Sequence, residues 1–111
     1  MVLRRSIWVL AAMLCLARSA YAQGYAGDVP MADYLALLKS ITPAARDGAE
    51  AYLAAYERRC GRAMKTADLR KAMADGDGDP VLMGMIRASL YRDKTALVSL
   101  EVSIRCEQHG R

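Results

Sequence analysis

The chain contains no phenylalanine, and its only tryptophan, Trp8, falls in the first 22 residues. A core must therefore be filled by leucine, methionine and tyrosine. Tyr25, Tyr34, Tyr52, Tyr56 and Tyr91 fall mostly on helical stripes, so they read as core or interface side chains. Histidine is nearly absent as well. The single one, His109, stands two residues from the C-terminus, where a general base is poorly held in place. No glycine-rich phosphate loop, serine-centred nucleophile elbow or dinucleotide fingerprint occurs. No apolar run reaches the length of a permanent membrane span. These absences lead to the expectation of a non-enzymatic protein with no cofactor.

What is present begins with a leader. Arg4 and Arg5 supply a positive start, Ile7 to Ala17 an apolar run of about eleven residues, and Ala20-Tyr21-Ala22 a small-x-small cleavage pattern. Residues 1–22 are expected to be a cleaved secretory signal. Residues 23–111 are expected to form a single domain beginning at Gln23 and located in the periplasm or secreted. Ala12-Met13-Leu14 before Cys15 matches a lipoprotein box poorly. Arg4-Arg5 fits a twin-arginine signal only in part.

Loss of the leader changes two counts. Three of the 16 basic residues, Arg4, Arg5 and Arg18, leave with it, so 13 remain against 12 acidic ones. Nucleic acid is not expected as a partner, because phosphate binding needs a clustered excess of positive charge. Of the three cysteines, Cys15 leaves, and Cys60 and Cys106 remain. Two cysteines allow one intramolecular pairing, and an oxidising compartment favours it. No Cys-x-x-Cys is present to tune a thiol for redox work.

Apolar spacing predicts helices. Pro30 suits a first helical turn, and Tyr34, Leu37, Leu38 and Ile41 recur at three and four. Thr42-Pro43 ends that helix and caps the next. The second helix, carrying Ala45, Ala49, Tyr52, Leu53, Tyr56 and Cys60, is expected to be the longest, with Gly61 at its end. Thr66 is expected to cap a short third helix bearing Leu69 and Met73. Asp75-Gly76-Asp77-Gly78-Asp79-Pro80 breaks the chain. Asp79 then caps a fourth helix bearing Leu82, Met85, Ile86, Ser89 and Leu90. The last segment is ambiguous. Val98, Leu100, Val102, Ile104 and Cys106 alternate with polar residues, which fits a strand, yet no partner strand is evident. A mostly buried central helix and an edge strand pairing across a homodimer both remain open. The expected fold is an all-α bundle of four or five short helices with one disulfide.

Three constellations are candidates for chemistry. Asp75, Asp77 and Asp79 resemble the start of a calcium loop, but the sixth position is Pro80 and the twelfth Ile86, where glycine and a bidentate glutamate are required. Met83-Gly84-Met85 has soft thioethers suited to cuprous copper, yet only Met85 lies on the apolar stripe. Cys60, Cys106 and His109 lack a fourth zinc ligand and compete with the disulfide. No metal is expected at any of the three. The acidic loop Asp75, Gly76, Asp77, Gly78, Asp79 reads instead as a projecting contact surface.

The leader, the helical pattern, a cysteine on the long second helix and one in the last segment occur together. Tyr91-Arg92-Asp93 and Leu100-Glu101-Val102-Ser103-Ile104-Arg105-Cys106 complete the set. Over roughly Met31 to His109 this resembles the periplasmic immunity proteins that neutralise type VI secretion amidases. The resemblance implies a dimer whose protruding loop plugs the toxin's active site, and by position Gly76 to Asp79 is the candidate plug. The Cys60-to-Cys106 spacing is also similar to that of the small periplasmic acid-stress chaperones. The leading expectation is an inhibitor or immunity protein that occludes an exported hydrolase. An acid-stress chaperone and a secretion-system assembly factor are the alternatives.

Overall fold

A computed structural model of the chain describes residues 29–106. The leader, Gln23 and His109 lie outside the described residues. Five helices follow one another: α1 (Met31–Ile41), α2 (Pro43–Cys60), α3 (Thr66–Ala74), α4 (Pro80–Leu90) and α5 (Lys94–Glu101). Among the described residues there is no strand, so the fold is all-α, and the ambiguous last segment is a helix in its first half.

The α1–α2 corner turns on one residue. Thr42 is extended, with φ −159° and ψ 141°. Its N–H donates to the Leu38 carbonyl (3.1 Å), closing α1. Its Oγ1 accepts from the Ala44 N–H (3.1 Å), opening α2 with Pro43 at the first position. One side chain thus satisfies an orphan donor of α2 while its backbone closes α1. Pro30 stands one position outside α1. Its carbonyl accepts from the Asp33 and Tyr34 N–H groups (3.0 and 3.1 Å).

α2 is the centre of the molecule, lying against α1, α4 and α5. It buries Ala44, Ala45, Gly48, Ala49, Tyr52, Ala55 and Tyr56. Small residues let α4 approach closely. A Cβ on Gly48 would lie 2.6 Å from the backbone N of Ile86, and backbone cannot step aside. Tyr52 and Tyr56, each 1% exposed, fill the space that phenylalanine commonly takes. α4 answers with Leu82 and Met85 and α3 with Leu69, all fully buried. The helix ends at Gly61, left-handed at φ 70°, whose N–H donates to the Glu57 carbonyl (2.9 Å).

Three expectations shift. Thr66 does not cap α3. Lys65 occupies the cap position without a side-chain bond, and Thr66 is the first helical residue, its side chain turned inward. α5 ends at Glu101, so Cys106 lies in an irregular tail rather than in the last helix. α5 is also not the mostly buried helix foreseen. None of its residues is buried, and Val98 is 69% exposed. The tail is nonetheless anchored, because Ile104 is buried in the core cluster.

Candidate functional site

The acidic break is a built loop. Asp75 ends α3, its N–H donating to the Lys71 carbonyl. Gly76 and Gly78 are left-handed (φ 58° and 88°), a conformation that explains glycine at both positions. The Gly78 N–H donates to the Asp75 carbonyl (2.9 Å), and the Asp79 N–H reaches back to the Ala72 carbonyl (2.7 Å). Met83 packs against the Cα of Gly78, so tightly that a Cβ there would meet its sulfur at 3.0 Å. The Asp79 carboxylate faces inward. Its Oδ1 accepts from the Val81 and Leu82 N–H groups (2.9 and 3.1 Å), capping α4 as expected. Its charge also acts on the phenol of Tyr52, which burial already pushes well above the usual tyrosine range. Asp75, Gly76 and Asp77 are left exposed at the tip.

Among the described residues no group of three or more histidine, cysteine, aspartate or glutamate side chains could hold a metal ion. Asp79 is committed to the α4 cap while Asp75 and Asp77 face solvent. Met83 and Met85 are likewise separated. Two residues apart on a helix they point about 200° apart, with Met85 in the core and Met83 on Gly78. Of the zinc triplet, His109 lies outside the described residues, and Cys60 and Cys106 are bonded to each other.

The second built region joins the tail to the end of α2. Cys60 and Cys106 are bonded, with Cα atoms 5.5 Å apart, a normal spacing for a disulfide. Beside them Arg58 grips Glu101 with two parallel bonds, Nε to Oε1 at 2.8 Å and Nη2 to Oε2 at 3.1 Å. Arg58 holds the Glu101 carboxyl below the usual glutamate range, with a smaller contribution from Arg59. The Arg62 Nη2 donates to the Cys106 carbonyl (3.3 Å), and its guanidinium lies over the Tyr56 ring, 5.9 Å from the centroid. Neither Arg58 nor Arg62 stood out in the sequence, because nothing local ties an arginine to a glutamate 43 residues away.

Two shallow grooves flank α4. One of about 360 Å³ is lined by Asp79, Pro80, Val81, Ser103 and Arg105, which places the tail beside the acidic loop. The other, of about 520 Å³, follows the α4–α5 seam past Gly84, Ala88, Tyr91 and Leu100. Several large apolar side chains are exposed: Leu37 and Ile41 on α1, Leu90 and Tyr91 at the end of α4, and Val98 and Val102 at α5.

Comparison with models of known protein families found no match, and neither did comparisons with curated proteins or with solved structures. Among the described residues no helix is long and apolar enough to cross a membrane. The cysteine pair is compatible with an oxidising, exported location.

Proposed function

We propose that the chain is an exported, non-enzymatic binding protein that inhibits a partner enzyme by occlusion, as immunity proteins do against cell-wall amidases of type VI secretion. The observation that carries this reading is the loop 75–79. A plug must hold its shape before it meets its target, since ordering a loop on binding costs affinity. Here the tip is exposed and acidic, while both its flanks are fixed by backbone bonds to α3 and by the α4 cap. The scaffold behind it is closed covalently at the far end of the sequence. Two exposed carboxylates, Asp75 and Asp77, suit an active-site mouth lined with basic or hydrogen-bond-donating groups. The periplasm is the proposed compartment, on the strength of the N-terminal leader pattern.

The test is inhibition of a panel of purified cell-wall amidases by residues 23–111, with the Asp77→Lys variant alongside. The reading requires at least one enzyme to be blocked, with the block lost on charge reversal while the thermal midpoint stays put. Unchanged hydrolysis across the panel contradicts it. The exposed apolar residues on α1, α4 and α5 favour a second reading, an acid-stress chaperone that gathers unfolded chains. Binding of an apolar dye that does not rise between pH 7 and pH 3 removes that reading.

A further inference from the structure

We propose that α5 with its tail is exchanged between two copies of this chain, giving a domain-swapped dimer sealed by two Cys60–Cys106 bridges between the copies. The hinge points to it first. Only Tyr91, Arg92 and Asp93 connect α4 to α5, and all three are used up in the turn. The Arg92 N–H donates to the Ser89 carbonyl (3.2 Å) and the Asp93 N–H to the Ala88 carbonyl (2.8 Å). The Asp93 Oδ1 then caps α5 through the Ala96 N–H (3.0 Å). This bonding forces Arg92 to φ 53°, and it is the only non-glycine residue with positive φ among the described residues. A left-handed position favours glycine, so a closed hinge stores strain that an extended hinge releases. Short strained hinges are the known route to exchange of a terminal element.

The second observation is what holds α5 down. No residue of α5 is buried. Leu97 and Leu100 rest against the core, Ile104 inserts behind them, and the seat is closed by the Arg58–Glu101 pair and the Cys60–Cys106 bond. Every one of these contacts can be made by the α5 of a second copy without any change of side chain. The exchange therefore costs association entropy and the two backbone bonds of the closed turn, whose exposed groups water can satisfy, and it gains the relaxed hinge. Exposed apolar residues lie where two extended hinges would run side by side: Leu90 (62% exposed) and Tyr91 (74%). Covering them adds a contact that the closed chain lacks. The loop 75–79 stands at the opposite end of α4, so the dimer would present two copies of it, whatever its target.

Each bridge between copies forms as it does within one. The Cys60 thiol and the partner's Cys106 thiol give up two protons and two electrons. A disulfide oxidant accepts them and becomes two thiols.

The test uses residues 23–111 reduced, then oxidised with oxidised glutathione at rising protein concentration. The products are read by non-reducing gel and by mass. Exchange predicts a covalent dimer whose share grows with concentration and which reduction returns to single chains. Arg92→Gly, which relaxes the closed hinge, should lower that share several-fold. In an equimolar mixture of Cys60→Ser and Cys106→Ser, the heterodimer joined by one bridge should exceed both covalent homodimers. Intrachain bridges at every concentration, or a statistical mixture of homo- and heterodimers, would overturn the proposal.

Discussion

Single residues carry more of this fold than its size suggests. Gly48 is the clearest case. Placing alanine in a helix interior ordinarily gains about 1 kcal/mol over glycine. Here the added methyl would strike the backbone of Ile86 on α4, and overpacking of this kind costs about 1–3 kcal/mol. Gly48→Ala is therefore predicted to lower the urea midpoint, whereas the same change at a solvent-facing helical glycine would raise it. Asp79 is the second case, because its carboxylate caps α4 through two N–H groups. Asp79→Ala should cost about 1 kcal/mol by denaturant titration, and Asp79→Asn should recover most of it. Tyr52 gives a pH signature. Its phenol is held protonated by burial and by the charges of Asp79 and Tyr56. The unfolded chain ionises near the ordinary tyrosine value while the folded one does not, so stability is full below about pH 10 and falls above it. Tyr52→Phe should flatten that alkaline decline. A decline of the same steepness in the variant would assign it to other groups.

At the scale of elements, the split lies between α1–α4, whose buried stripes interlock, and α5, which only half-buries Leu97 and Leu100 and has no fully buried residue. Ile104 does for the tail what α5 cannot do for itself. Ile104→Ala should cost about 2–5 kcal/mol, far more than Val98→Ala or Val102→Ala on the exposed side. The Arg58–Glu101 pair adds a pH dependence of the other sign. The lowered carboxyl of Glu101 contributes stability above the ordinary glutamate range and loses it as pH falls through the lowered value. Glu101→Gln should reduce the acid sensitivity of unfolding, measured by thermal midpoints between pH 7 and pH 3. These elements also show where sequence was legible. Three-and-four spacing located α1 to α4, and the side chains of Thr42 and Asp79 marked two of the junctions correctly, because a cap is a local bond. The last segment misled for a geometric reason. In a helix, residues two apart point about 200° apart. An alternation of apolar residues thus places Leu100 inward and Val98 outward, and period two can describe a helix exposed on one side. Leu37 and Ile41 extended the apolar stripe of α1 beyond what the fold covers. Periodicity counts apolar residues but does not say how wide the neighbouring helix is.

On the scale of the whole molecule, the Cys60–Cys106 bond closes a loop across 46 positions, worth about 4 kcal/mol in the chain-entropy treatment. For a domain with this little buried volume, that is a large part of its stability. The pairing was legible because, once Cys15 is set aside with the expected leader, Cys60 and Cys106 allow only one pairing. The Arg58 and Arg62 contacts around it were not, because they join residues far apart in sequence. The acidic loop was legible as a turn and a cap, yet the shape of its exposed tip depends on Met83 packing under Gly78 and on the backbone bond to Ala72, which only the folded chain reveals. The molecule thus divides into a self-supporting body, α1–α4, and a strap, α5 with its tail, fastened by the disulfide. Hydrogen exchange followed by mass spectrometry, on oxidised and then reduced protein at neutral pH, addresses that division directly. On reduction, amides of residues 94–106 should lose protection while those of α2 and α4 keep most of theirs. Equal loss across all five helices, or no change anywhere, would contradict it.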